Sequence, residues 1–223
     1  MKKELYFQAI TKFITGLILV MILLFLPAGT LSYWQAWLFL GLLFVPMLIV
    51  GIILMIYNPD LLRKRLDAKE KEGEQKTVVA MSGILFVAVF VIAGFNYRYQ
   101  WCLLSNGLVV AAAIAFLVGY VMYAEVIHEN TWLSRTIEVQ ENQQVVDTGL
   151  YGHVRHPMYT STLMMFLSVP VILASGWSFV LMLFYLPIVV KRIRNEETVL
   201  EQELPGYKDY KQRVRYRLIP YIW

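Results

Sequence analysis

The chain contains one cysteine and three histidines, and charged residues make up only 16% of its 223 positions. Cys102 cannot form an internal disulfide, and it falls into no metal-ligand spacing with His128, His153 or His156. No metal site is expected, and the lone cysteine is expected to be buried. No internal repeat, low-complexity tract or glycine-rich phosphate loop is present. With 58% hydrophobic residues and a mean hydropathy of +0.56, the composition is too apolar and too poorly charged for an ordinary soluble domain of this size. It implies an integral membrane protein with no nucleic-acid partner.

Long apolar runs fill most of the chain. Six can be marked: Ile10–Leu26, Trp34–Tyr57, Val78–Phe95, Leu108–Ala124, Met158–Ala174 and Trp177–Val190. The first four are 17 to 24 residues long, close to the ~20 that span a bilayer as helix. The sixth, of 14 residues ending near Pro187, reads as a tilted or kinked arm returning from a turn at Ser175-Gly176. The expected fold is therefore all-α: a polytopic membrane helical bundle of about six segments, the last two a helical hairpin, with a cytoplasmic C-terminal helix. A single domain over residues 1–223 is expected, with membrane helices in 10–126 and the region that carries the candidate chemistry in 127–223. Lys2 and Lys3 precede the first run, which lacks a clean small-x-small cleavage site and reads as a retained anchor.

Of the 20 Lys and Arg residues, 19 fall on one side of these segments and only Arg98 on the other. Basic residues favour the cytoplasm, so both termini are expected inside and Tyr97–Asn106 outside. The outer links carry Trp34, Trp37, Tyr97, Tyr99, Trp101 and Trp177, residues that suit the membrane interface. Asn58-Pro59-Asp60 is a helix-start signal opening a mixed-charge inner loop, read as a solvated surface helix.

Two polar blocks on the inner side carry the candidate chemistry. The loop from Glu125 to His156 holds Glu129, Asn130, Arg135, Glu138, Asp147, Tyr151, His153 and Arg155 among others. Its segment Thr136–Val146 reads as a short extended piece followed by a turn at Asp147-Thr148-Gly149. Proline after His156 keeps that residue out of helical conformation and is well placed to open the apolar helix that follows. Arg155 and His156 would then flank a helix N-terminus, a ready site for an anion. The second block runs from Arg192. Glu196 and Glu197 lie on adjacent faces of a helix leaving the membrane, so one can face solvent and the other can point beneath it. After Pro205-Gly206 come Tyr207 and Tyr210, then Arg213, Arg215 and Arg217 at alternate positions, which suggests a partly extended tail. Together the blocks offer aromatic faces for a cation, carboxylates for a positive or hydroxyl-bearing ligand, and a helix start for an anion. These demands suit a zwitterionic sulfonium nucleotide without selecting it over other ligands.

The texts GLYGHVRHPMY and RNEETVLEQELPGYKDYKQRVRYRLIP resemble the isoprenylcysteine carboxyl methyltransferase family of membrane methyltransferases. The matching residues are Gly149, Tyr151, Arg155, His156, Pro157, Tyr159, Glu196, Glu197, Leu200, Gly206, Tyr207, Tyr210, Arg213 and Val214. The resemblance covers about Asn130 to Trp223. It implies a helical enzyme of the cytoplasmic (inner) membrane that binds S-adenosylmethionine at its cytoplasmic face. It also implies a lipophilic or lipidated substrate entering from the bilayer, in contact with membrane lipid. On that footing Tyr151, His156, Pro157, Tyr159, Glu196 and Glu197 are expected to bind the cofactor. Arg213 and Arg217 are expected to hold a substrate carboxylate for O-methylation, and Glu196 or Glu197 to serve as base if the acceptor is an amine or hydroxyl. Alternatives are a phospholipid N-methyltransferase, a nicotinamide-dependent membrane reductase and a non-catalytic membrane adaptor. Two departures from the family pattern stand out. Leu150 replaces the common proline, which is expected to loosen that turn, and Ser161 replaces a glycine, which is expected to weaken close helix packing.

Overall fold

The computed structural model describes residues 2–66, 73–133 and 139–223. The apolar runs fold as α1 (Lys2–Ala28), α2 (Trp34–Tyr57), α4 (Gly73–Tyr99), α5 (Asn106–Glu129) and α6 (Pro157–Ile172). A short helix, α3 (Pro59–Leu66), follows α2. The returning arm is α7 (Gly176–Met182) running into α8 (Tyr185–Glu203), and α9 (Tyr207–Arg213) precedes an extended tail. Among the described residues there is no strand, only an isolated bridge between Leu103 and Ser175.

Helix is the form a lipid-embedded run must take, because it satisfies its own backbone hydrogen bonds. Among the described residues five helical stretches are long and apolar enough to cross a membrane, the Gly176–Glu203 arm of α7 and α8 counted as one, and α6 is a shorter apolar helix. The protein is an integral membrane helical bundle. Ile18, Ile22, Ile53 and Ile84 point outward and are exposed, as a lipid-facing surface requires. Inside, Leu24, Phe39, Phe116, Met165 and Ile172 form one buried cluster joining α1, α2, α5 and α6.

The hairpin turns where Ser175-Gly176 signals it. The Ser175 hydroxyl accepts from the Ser178 amide at 3.3 Å, capping α7. The arm then breaks at Leu183–Phe184, where the Leu183 amide is shared between the carbonyls of Phe179 and Val180 and the amides of Phe184 and Leu186 bond three residues back. Pro187, in the first turn of α8, has no amide to continue the ladder there, which accounts for the kink. Asn58-Pro59 opens α3 as its signal predicts, but this helix is not wholly solvated: Leu62 is buried against Leu5 and Ala9. Residues 67–72 of that loop lie outside the described residues.

Two expectations from the sequence are corrected. Cys102 is exposed rather than buried. It sits in the α4–α5 link, where its amide and carbonyl are taken by Asn96 and Gly176 and its Sγ lies over Gly176, in a link that leaves the residue open to the surface. Close packing at Ser161 is not weakened either. Ser161 is fully buried, and its carbonyl lies 3.1 Å from where a Cβ on Gly119 of α5 would stand. The glycine that permits close approach comes from the partner helix. The link Tyr97–Asn106 and the Ser175 turn thus share one end of the bundle, while the ends of α5 and α8 and the start of α6 share the other.

Candidate active site

Two residues at the end of α5 grasp the turn that follows the polar loop. Glu129 Oε2 accepts the Leu150 amide at 3.1 Å, and Asn130 Nδ2 donates to the Tyr151 hydroxyl at 2.8 Å. Residues Gly149–Gly152 close into a 3-10 turn, with the Tyr151 amide on the Thr148 carbonyl and the His153 amide on the Leu150 carbonyl. The leucine at 150 therefore does not loosen this turn, because it supplies an amide that a proline could not give. Gly149 is required here. Its φ is +50°, and a Cβ would stand 1.6 Å from Glu129 Oε1, well inside contact distance. The Tyr151 ring is buried, and burial first pushes its hydroxyl up to about 12 against the pull of the Asn130 hydrogen bond.

The chain then enters α6 through His156-Pro157, with Pro157 at the first helical position. The expected external anion site at this helix start is taken by the chain itself. The Arg155 and His156 amides donate to the carbonyls of Tyr216 and Arg217, both at 2.9 Å. The partly extended tail beyond α9 is what places those carbonyls. The anion is internal too. Glu197, 3% exposed, accepts Arg155 Nε and Nη2 on Oε1, each at 2.8 Å, with His156 Nε2 at 3.3 Å from the same oxygen. Its other oxygen accepts Arg217 Nε and Nη2 at 3.0 and 2.8 Å. Arg155 Nη1 is spent on the carbonyls of Val214 and Arg215 at 2.7 and 2.8 Å. Two guanidiniums and an imidazole thus converge on one buried carboxylate, which such a charge needs in order to be buried at all.

Glu196 points elsewhere, as adjacent positions on a helix allow. Its carboxylate is 25% exposed and lines a cavity enclosing about 860 Å³ of empty space, mouth included. Tyr159 donates its hydroxyl to Glu196 Oε2 at 2.6 Å and accepts Arg192 Nε at 3.0 Å, so that one phenol links a carboxylate and a cation. Tyr151, His156 and Arg192 lie on the same wall. Pro157 opens the helix beneath it. Tyr210 closes the floor by donating to the Tyr151 carbonyl at 2.8 Å. Tyr207, also on the lining and 3% exposed, has a hydroxyl with no partner among the described residues.

Of the residues expected at the site, the structure brings Tyr151, His156, Tyr159 and Glu196 to the cavity. Glu197 stands behind the wall, holding the cations. Arg217 is bound to Glu197 and lies over the Trp223 ring at 5.2 Å. Arg213 projects outward and pairs with Asp147 at 2.9 Å; neither arginine lines the cavity. The polar loop holds residues that the sequence reading passed over. Trp132, Gln143 and Val146 line the cavity, and Val139 and Val145 pack on Leu204, Tyr207 and Tyr210. The signal was present as Val139, Val145 and Val146 in an otherwise polar stretch. Residues 139–146 form no strand, and they turn at Gln140–Gln143. Arg135, Thr136, Ile137 and Glu138 lie outside the described residues.

Known proteins resemble this arrangement. The model of the "Isoprenylcysteine carboxyl methyltransferase (ICMT) family" matches residues 108–202. In fold, the chain is similar over 96% of its length, and over 77% of the other chain, to a solved eukaryotic intramembrane Ras methyltransferase ICMT, with a TM-score of 0.55 and 20% identity. It is also 33% identical over 91 residues to Delta(14)-sterol reductase TM7SF2 of Mus musculus. That match takes in 40% of this chain and 22% of the reductase, so the chain spans about a fifth of the length of that relative. The matched stretch runs from α5 through the hairpin to the end of α8, so the likeness to the isoprenylcysteine carboxyl methyltransferase (ICMT) family lies in that part of the chain, and the all-helical fold around it is similar to that of the solved methyltransferase.

Proposed function

We propose that this protein is an S-adenosylmethionine-dependent methyltransferase that modifies a lipophilic acceptor, on a carboxylate oxygen, at the cytoplasmic face of the membrane. The observation that carries the proposal is the cavity itself. It sits at the foot of the family-matched hairpin, with Tyr159, Glu196, His156 and Tyr151 on one wall. The residues present fit the cofactor. The Glu196 carboxylate suits an ammonium or a ribose diol, while the rings of Tyr151, Tyr159 and Trp132 suit a purine face and a sulfonium charge. Bound there, the cofactor would supply an electrophilic methyl group.

The work left to the protein is positioning and charge stabilisation. Tyr159 orients Glu196, and Asn130 orients Tyr151. Glu197, Arg155 and Arg217 hold the start of α6 against the tail, fixing the His156 ring. A carboxylate acceptor is already a nucleophile and needs no base. Arg217 and Arg213, the cations expected to hold it, are engaged by Glu197 and Asp147. Arg192, on the cavity wall, is the cation that this proposal assigns to the substrate carboxylate. For an amine or hydroxyl acceptor, Glu196 is placed to take the proton.

A second reading follows from the identity to the sterol reductase: a nicotinamide nucleotide in the same cavity. Calorimetry on the purified full chain separates the two. S-adenosylhomocysteine should bind and NADPH should not, and a membrane product labelled from the methyl group should release methanol in mild base. NADPH binding without S-adenosylhomocysteine binding would refute the proposal. A base-stable methylated amine would shift it to N-methylation.

A further inference from the structure

α9 carries two buried tyrosines one turn apart. Tyr210 spends its hydroxyl on the Tyr151 carbonyl at 2.8 Å. Tyr207, equally buried and on the cavity lining, spends its hydroxyl on nothing. Among the described residues the only other buried side-chain atom in this condition is Gln35 Oε1, at the opposite end of the bundle. Buried polar groups are almost always paired, because an unmade hydrogen bond costs the full desolvation of the group. A phenylalanine at 207 would fill the same apolar contacts with Leu204, Val145 and Tyr210 without that cost. Burial, with Glu197 and Glu196 nearby, also keeps the hydroxyl protonated far above its ordinary range. It is therefore an O–H donor throughout the physiological pH range, on a residue that lines the cavity.

We propose that the Tyr207 hydroxyl is a binding contact of the site, donating to an acceptor oxygen of the nucleotide cofactor that fills the cavity. The inference rests on the cofactor reading given above. It assigns the two tyrosines opposite tasks: Tyr210 braces the empty protein, and Tyr207 is paired only when the ligand arrives.

The test is a pair of single-oxygen deletions, Tyr207→Phe and Tyr210→Phe, in the detergent-solubilised full chain. Each is measured for S-adenosylhomocysteine affinity by calorimetry and for thermal stability without ligand. Y207F should bind about five- to thirtyfold more weakly, as expected for one lost ligand hydrogen bond, with a melting temperature unchanged or raised. Y210F should melt earlier, which shows that the assay registers a lost buried hydrogen bond. Unchanged affinity in Y207F would overturn the inference and leave the hydroxyl to water alone. A fall in melting temperature matching that of Y210F would overturn it by making Tyr207 a structural residue. Failure of the wild type to bind would instead remove the cofactor reading, and the inference with it.

Discussion

Arg155 and Glu197 stand 42 residues apart in sequence, yet two guanidinium nitrogens of the one reach a single carboxylate oxygen of the other, each at 2.8 Å. Lysine has the charge but not the fork. It would also leave the carbonyls of Val214 and Arg215 without their donor. Breaking such a buried pair costs about 3–5 kcal/mol. Glu197→Gln and Arg155→Lys should therefore lower the melting temperature and yield of folded protein far more than Glu196→Gln. Equal melting of E197Q and E196Q would contradict this account of the network.

The turn before α6 offers a double-mutant test. Gly149→Ala meets both a positive φ and the Glu129 carboxylate, so it should cost about 2 kcal/mol or more. Combining it with Glu129→Ala removes the clash but keeps the backbone strain. The double variant should be less destabilised than the sum of the singles. Strict additivity in thermal melts would show that the carboxylate moves aside freely.

Helix packing makes a simpler prediction. A Cβ on Gly94 of α4 would stand 2.6 Å from the Leu24 carbonyl and 2.9 Å from Pro27 Cβ of α1, whereas one on Gly83 would meet nothing within 4 Å. G94A should destabilise the protein in detergent by about 1–3 kcal/mol, while G83A should be neutral or slightly stabilising. Matching melts for the two variants would refute the close α1–α4 approach.

Tyr159→Phe deletes the hydroxyl that bonds both Glu196 and Arg192. Fold should survive, since the ring still packs on Val189 and Ile193. Affinity for S-adenosylhomocysteine should drop about tenfold as Glu196 loses its orientation. Wild-type affinity in Y159F would remove Glu196 from the binding wall.

Sidedness can be read with the native thiol. Cys102 is exposed at the end of the bundle opposite the cavity, which the basic-residue count puts outside. In intact cells a membrane-impermeant maleimide should label it. Lys208→Cys in a Cys102→Ala background should label only after the membrane is opened. The reverse pattern would invert the orientation.

Helix positions were legible because the bilayer imposes length and apolarity on each run, and Ser175-Gly176 and Asn58-Pro59 marked their turns. Glu196 and Tyr159 were legible as members of motifs. Their division of labour from Glu197 was not, since adjacent glutamates differ only in what the folded helix brings beneath them. The fates of Arg213 and Arg217 were hidden for a related reason: alternation along a tail gives its extension but not its partners, Asp147 and Glu197. The place of Trp132 and Val145 at the cavity was masked by the polar residues around them. A loop's few apolar side chains reveal a cavity wall only once the opposite wall exists.

The carbonyls of Tyr216 and Arg217 that hold the Arg155 and His156 amides bear on the order of assembly. Each transmembrane helix can enter the bilayer as it is synthesised, and the hairpin can close as soon as α8 emerges. The base of the hairpin must wait, because the Arg155 and His156 amides and the Arg155 guanidinium are completed by residues made some sixty positions later, and Glu197 by Arg217, 20 positions on. Until then Glu197 has one arginine in place of two, and the start of α6 is open to water. During synthesis the chain therefore passes through an inserted but unfinished state, in which the membrane scaffold stands before the site does.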